Sequence, residues 1–319
     1  MDEFNKIYGQ DLAIQILKSS ISKKHISTAY LFSGPEGVGR KKTAKVFIQS
    51  ILNTNPDKED TKRKIENNNH PDLLFIEPSY MVQGKSISQE KAKLESINIK
   101  SPAQIRLNQI KEIIEFLAKK PLESERSIVI IEDIEKMNES ASNALLKTLE
   151  EPNAGLFILI TQRPEKLLST IRSRCQIVPF LRLNDDQVST IIKSLKVVQE
   201  INDITKEKVK ELIAFSYGSP GRYLTNIQYW LGISNGLREK LEMKLTNQIE
   251  VLKLAKEITD ELDIDHQLWL INFQQNRIWE REKNSTLIKK FEQLRQQLIS
   301  YVQPRLAWEV ALLEINFIN

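Results

Sequence analysis

Ala29-Tyr30-Leu31-Phe32-Ser33-Gly34-Pro35-Glu36-Gly37-Val38-Gly39-Arg40-Lys41 is the stretch whose reading decides the fold. It opens with a short, near-continuously apolar run, the pattern of a strand covered on both faces. Gly34, Gly37 and Gly39 follow, and then the helical Lys42-Thr43-Ala44-Lys45-Val46-Phe47. Strand, glycine-rich turn and helix in this order predict a phosphate-binding loop. The glycines let successive backbone N–H groups turn toward one anion, and the helix N-terminus supports its negative charge.

Outward from this loop, four more short apolar runs read as buried strands: Leu73 to Glu77, Ile128 to Ile131, Leu156 to Thr161 and Ile177 to Phe180. Helical patterns such as Ile105 to Leu117 and Ala141 to Leu149 lie between them. This alternation predicts an α/β domain with a parallel sheet, over residues 1–181. Two polar segments, Asn53 to Asn69 and Ser79 to Ser101, read as irregular surface excursions.

After Phe180 the strand signals stop. Val188 to Leu195 and Lys206 to Phe215 carry helical spacing up to Gly218-Ser219-Pro220-Gly221, which predicts a small helical domain over 182–228. Leu237, Leu241 and Leu245, and later Leu287, Phe291, Leu294 and Leu298, recur every three or four residues and predict an α-helical bundle over 229–319. No internal repeat is visible.

The loop departs from a working nucleotide site at two positions. A magnesium-triphosphate needs a Lys and then a Ser or Thr after the last glycine, the Lys for the β- and γ-phosphates and the hydroxyl for the metal. Arg40 and Lys41 stand there. The forked guanidinium replaces a compact ammonium poorly, and an ammonium cannot ligate a cation. The later Lys42-Thr43 pair lies too far along the helix to substitute. Past Ile128 to Ile131 comes Glu132-Asp133, a carboxylate pair at a strand's C-terminal end, where metals and attacking waters are held. These acids either retain a metal role or cap the strand and pair with nearby basic residues.

Composition narrows the classes. The chain has 319 residues, 40% hydrophobic and 28% charged, enough for two or three cores. No stretch approaches the roughly 20 apolar residues of a membrane helix, and Met1 to Lys6 has no signal-peptide character, so no membrane role and a cytoplasmic location are expected. Cys175 is the single cysteine, which fits a reducing compartment, and with His25, His70 and His266 it supplies no zinc-site spacing. A formal charge of +4, from 46 basic and 42 acidic residues, permits a nucleic-acid partner without requiring one. Lys111, Lys119, Lys120 and Arg126 suit either DNA contact or a solvated face.

Phe4-Asn5-Lys6-Ile7-Tyr8-Gly9-Gln10 and His25-Ile26-Ser27-Thr28, running into the strand and loop above, resemble the opening of bacterial clamp-loader AAA+ subunits. Ser142 to Pro152, reading Ser-Asn-Ala-Leu-Leu-Lys-Thr-Leu-Glu-Glu-Pro, and Ser173-Arg174-Cys175 are similar to two further hallmarks of that family, in the same order and spacing. The resemblance is dense to about residue 224 and thin beyond it. Within the family, the degenerate loop, the acid order Glu132-Asp133 where working ATPases of this type have Asp then Glu, and His70-Pro71-Asp72-Leu73 look like the delta-prime branch, and Gln303-Pro304-Arg305-Leu306 adds a weaker likeness. Many members of that branch carry a four-cysteine zinc module near Asn53 to Asn69, where this chain has no cysteine.

The resemblance implies an AAA+ P-loop domain, a helical lid and a C-terminal collar. It implies a ring partner that loads a sliding clamp on primed DNA with gamma/tau and delta subunits in a pentamer, without intrinsic ATPase activity; an active gamma/tau-like ATPase is the alternative. ATP would be held by a neighbouring subunit, with weak binding at the degenerate loop (Gly34, Gly37, Gly39, Arg40, Lys41, Glu132, Asp133) left open, and no metal or zinc is expected. Arg174 would reach a neighbour's ATP as an arginine finger, or else be a surface arginine. Thr161 resembles sensor 1 and Arg222 sensor 2. Without local ATP, Thr161 is a strand-end hydroxyl and Arg222 packs the lid. Cys175 reads as a small buried residue rather than a nucleophile.

Overall fold

The computed structural model describes residues 3–52, 58–82, 85–88, 91–92, 101–151, 155–195, 204–243, 247–300 and 302–317. By contact the chain divides into two compact units, Met1–Ile201 with Gly218–Gly221, and Asn202–Tyr217 with Arg222–Asn319.

Along the chain the strands are β1 (Ala29–Ser33), β2 (Leu73–Ile76), β3 (Ser79–Val82), β4 (Lys85–Ser88), β5 (Ile128–Ile131), β6 (Leu156–Thr161) and β7 (Gln176–Pro179). A five-stranded parallel sheet runs in the order β2-β5-β6-β1-β7, while β3 and β4 pair antiparallel. Successive strand residues face opposite sides, and both sides are covered, which is why the strands read as unbroken apolar runs.

On one side Tyr30, Phe32, Ile130, Ile158 and Val178 pack with Leu17, Phe47 and Ile48. These last three come from α1 (Asp11–Ser22) and α2 (Arg40–Leu52). On the other side Leu31, Val129, Ile131, Phe157 and Leu159 pack with Ile110, Ile113, Ala141 and Leu145. Each fully buried Val, Leu, Ile or Phe among these contributes about 1.5–3 kcal/mol of transfer free energy. The remaining helices of this unit are α3 (Lys58–Glu66), α4 (Leu107–Leu117), α5 (Glu139–Glu150), α6 (Ser169–Arg172) and α7 (Asp185–Ser194). Asn138 caps α5 by accepting from the Ala141 N–H, and Asn184 with Gln187 forms a capping box on α7.

β1 has β6 on one side and β7 on the other, whereas the next strand along the chain, β2, lies at the far edge. Chain direction across the sheet therefore reverses beside β1. That reversal opens a crevice at its C-terminal end, where α/β sheets bind ligands.

Three expectations need correction. Within Asn53 to Asn69, residues 58–66 form α3, which buries Thr61 and Ile65. One apolar residue in nine is enough to dock this helix and too little to mark a period; residues 53–57 lie outside the described set. Within Ser79 to Ser101 the hairpin β3–β4 aligns Ser79 with Ser88 and Tyr80 with Ile87. β4 is polar but for Ile87, and the Tyr80-Met81-Val82 run of β3 is only three residues long, too short to announce a strand; residues 93–100 are outside the described set. Helix α4 begins at Leu107 rather than Ile105, because Ile105 makes a parallel bridge to Met137.

The second unit is helical: α8 (Lys206–Phe215), α9 (Pro220–Gly232, in this unit from Arg222), α10 (Asn235–Glu242), α11 (Gln248–Glu261), α12 (Ile264–Arg281), α13 (Ser285–Ile299) and α14 (Pro304–Phe317). Thr205, Ser234, Asn247, Asp263 and Asn284 each cap the helix that follows through a side-chain oxygen. Trp269 stacks on Phe273 at 5.3 Å, and its indole N–H donates to Asn226 Oδ1 at 3.0 Å. Trp308 donates to Gln267 Oε1 at 2.9 Å. Lys208, nearly buried, is neutralised by Glu211 and Glu242 and lies 4.4 Å from the Trp230 ring centroid. The expected periodic residues Leu237, Phe291, Leu294 and Leu298 are buried, whereas Leu245 falls outside the described set. No helix among the described residues is long and apolar enough to cross a membrane.

Candidate functional site

The loop follows β1 without interruption. The Phe180 N–H donates to Ser33 O at 2.7 Å, and the Gly34 N–H donates to Thr161 O at 3.2 Å, so the strand ends of β6 and β7 hold the start of the loop. A Cβ on Gly34 would come within 2.3 Å of Phe180 O, which restricts the position to glycine. Gly37 and Gly39 take φ of 72° and 103°, the left-handed side open to glycine. Among the described residues, no atom beyond Gly39 and its two chain neighbours lies within 4 Å of the point a Cβ there would take, so the loop is open at this position.

Residues 218–221 of the same compact unit clasp this loop. The Gly221 N–H donates to Gly37 O at 3.0 Å, and Ser219 Oγ donates to Glu36 O at 2.8 Å. A Cβ on Gly221 would meet Gly37 Cα at 2.7 Å. Close backbone approach is thus what the Gly218-Ser219-Pro220-Gly221 break provides.

Arg40, the first residue of α2, is 7% exposed, and its Nη1 is buried without a hydrogen-bond partner. Burial pushes its guanidinium below the ordinary value, against the opposing pull of Asp133, Glu135, Glu132 and Glu36. Lys41 turns toward β5: its Nζ donates to Glu132 Oε2 at 2.8 Å and sits 4.3 Å from the Phe75 ring centroid. Asp133 takes a left-handed conformation (φ 48°) and accepts from Lys136 Nζ at 2.7 Å. Both carboxylates are therefore paired with lysines of their own chain. Among the described residues no group of three or more His, Cys, Asp and Glu is arranged to hold a metal.

A magnesium-bound triphosphate does not fit this donor set. The hydroxyl ligand is missing, an ammonium lies against the first carboxylate, and the second is spent on Lys136.

Thr161 is fully buried, and its Oγ1 accepts from the Arg163 N–H at 3.0 Å, a local strand-end bond. Sequence reasoning missed Glu135, whose Oε1 accepts from the Gln162 N–H at 3.0 Å and whose buried Oε2 has no partner. The 3-10 turn Ile134–Lys136, which periodicity does not announce, carries it within electrostatic range of Arg40. Phe75 carries no signal beyond its apolar strand run, yet its ring faces Lys41 Nζ.

Arg222 is exposed and belongs to the second unit, while the rest of the loop set lies in the first. Arg174 is not brought to the loop. It precedes β7, at the N-terminal edge of the parallel sheet, whereas the loop leaves the C-terminal edge. Its Nη1 donates to Thr170 O at 2.9 Å, and its Nη2 to Glu150 Oε1 at 2.5 Å. Lys111, Lys119 and Lys120 are exposed and Arg126 is half-buried. Cys175 donates to Ile171 O at 3.2 Å, and burial pushes its thiol up to about 12.

A parallel sheet in this order, with a phosphate loop at the reversal point and helices after it, defines an AAA+-type P-loop protein. Residues 9–184 match the family described as DNA polymerase III, delta subunit, and residues 187–315 match the cyanobacterial DNA polymerase III delta prime C-terminal domain. The chain belongs to the DNA polymerase III delta-prime family of clamp-loader AAA+ proteins. It is 34% identical over 184 residues to DNA polymerase III subunit delta' of Bacillus subtilis, covering 56% of this chain and 49% of that one. It is 30% identical over 202 residues to the delta' subunit of Pseudomonas aeruginosa, covering 60% and 53%. The matched stretch thus spans about half the length of these relatives. A crystal structure of a Thermotoga maritima DNA polymerase III gamma subunit-related protein shares the fold at TM-score 0.54 and 18% identity, over 94% of this chain and 97% of that one.

Proposed function

We propose that this chain is a non-hydrolysing, cytoplasmic stator of the DNA polymerase III clamp loader. In this reading it holds the ring together with gamma/tau and delta subunits, presents Arg174 to ATP bound by a neighbour, and supports placement of the sliding clamp on primed DNA. Residues 1–181 serve as the AAA+ body, 182–228 as the lid and 229–319 as the collar.

The observation that carries this reading is the Lys41–Glu132 ion pair at 2.8 Å. The position that must supply a metal-binding hydroxyl supplies a cation instead, and that cation already occupies the acid a metal would use. Arg174 supports the second half: it stands on the opposite sheet edge from its own loop and so does not reach that site.

Steady-state ATPase assays test the reading. The isolated chain should show no magnesium-dependent turnover. Reconstituted with the motor and delta subunits, it should support clamp- and primer-stimulated hydrolysis that falls by roughly 10³-fold or more at the adjacent site in Arg174→Ala, the scale of a lost arginine finger. Sustained turnover by the isolated chain would overturn the stator and favour a gamma/tau-like motor.

A further inference from the structure

Two sequence hallmarks, Ser142 to Pro152 and Ser173 to Cys175, meet in space through one contact. Glu150 is the last residue of α5, and Arg174 follows the single turn α6. The guanidinium is held from two sides, by Thr170 O at 2.9 Å and by Glu150 Oε1 at 2.5 Å. These bonds use two of its five N–H donors and leave the others for a further acceptor. The side chain remains 35% exposed, so a phosphate from outside can reach it.

Helix energetics do not account for Glu150. A carboxylate at the C-terminal residue of a helix opposes the macrodipole, which favours cations there. Arg174 removes that conflict, and Glu150 in turn restricts a long side chain that otherwise loses much rotamer freedom when it docks.

We propose that Glu150 is the positioning residue for Arg174: it sets the guanidinium in advance in the orientation needed to meet a phosphate on a neighbouring subunit. This rests on the stator reading above. Glu150 touches no nucleotide itself, and it acts by lowering the ordering cost of the arginine.

The experiment is an ATPase titration of the reconstituted clamp-loader complex carrying Glu150→Ala, Glu150→Gln, Arg174→Ala or Glu150→Ala with Arg174→Ala. Glu150→Ala should lower kcat about two- to five-fold, the scale of an exposed ion pair, and leave the KM for ATP unchanged. Glu150→Gln should recover most of the rate, because its amide oxygen still accepts from Nη2. In the Arg174→Ala background, Glu150→Ala should have no further effect. An unchanged or raised kcat in Glu150→Ala, alongside a loss in Arg174→Ala, overturns the positioning role and leaves the stator intact. No loss in Arg174→Ala removes the stator reading of that arginine, and the positioning role falls with it.

Discussion

Lys41 Nζ donates to Glu132 Oε2 across 2.8 Å, joining the first turn of α2 to the end of β5. The first turn of α2 carries Arg40, Lys41 and Lys42 and no acid, the reverse of what its dipole favours. Glu132 offsets one of those charges, and the carboxylates around Arg40 offset another. Because the pair is partly exposed, at 42% and 26%, it adds little to stability, on the order of 0–1 kcal/mol. Its consequence lies in what it excludes.

Restoring the missing groups tests that exclusion. Arg40→Lys with Lys41→Thr should tighten magnesium-ATP binding by about one to two decades, the scale of one charged hydrogen bond, and should make binding depend on magnesium. Titration with a fluorescent ATP analogue, with and without chelator, reads both. Equal affinity for the native chain and the double variant would show that Lys41 and Arg40 are not what disables the loop.

Gly221→Ala should destabilise the first unit by about 1–3 kcal/mol, because its Cβ meets Gly37 backbone that cannot move aside cheaply. Gly236→Ala is the control. Nothing lies within 4 Å of its Cβ among the described residues, and as a helical position it should gain up to about 1 kcal/mol. Urea denaturation compares them, and equal midpoints would refute the clasp.

Stability should fall toward acid pH in two stages. Burial pushes the His70 pKa down, so below about pH 6.5 the unfolded chain takes up a proton first and stability declines as pH falls. Asp72 is also depressed: burial works against its charge, but the N–H groups of Leu122, Glu123 and Ser124 at 2.7 Å and the Ser124 hydroxyl at 2.8 Å outweigh it. Its contribution is present above about pH 3.9 and is lost as pH drops through the lower folded-state value. Asp72→Asn should cost roughly 2–4 kcal/mol at pH 7 and flatten the acid limb. Denaturation curves from pH 3 to 8 measure this; parallel profiles for the two proteins would assign the acid limb elsewhere.

Cys175 should resist alkylation at pH 8 in the folded chain and react fully in denaturant, since burial holds its thiol near pKa 12. A thiol-colour assay with and without guanidinium decides it. Rapid reaction of the native chain would mean that the site opens.

Sequence alone determined the five strands of the parallel sheet and the loop. An apolar run of four to six residues has no stable place except inside a sheet covered on both faces, and Gly34, Gly37 and Gly39 between such a run and a helix permit a backbone that other residues resist. The same local chemistry showed that Arg40 and Lys41 replace the groups a metal nucleotide needs. Tertiary structure decided what period and spacing do not encode. It docked the polar helix 58–66 through Ile65, brought Glu135 within electrostatic range of Arg40, laid Gly221 on Gly37, and set Glu150 against Arg174. Each of these joins residues distant in the chain, or turns on a single buried side chain. Such contacts form only because the rest of the core fixes the elements that carry them, so no window of sequence contains their cause.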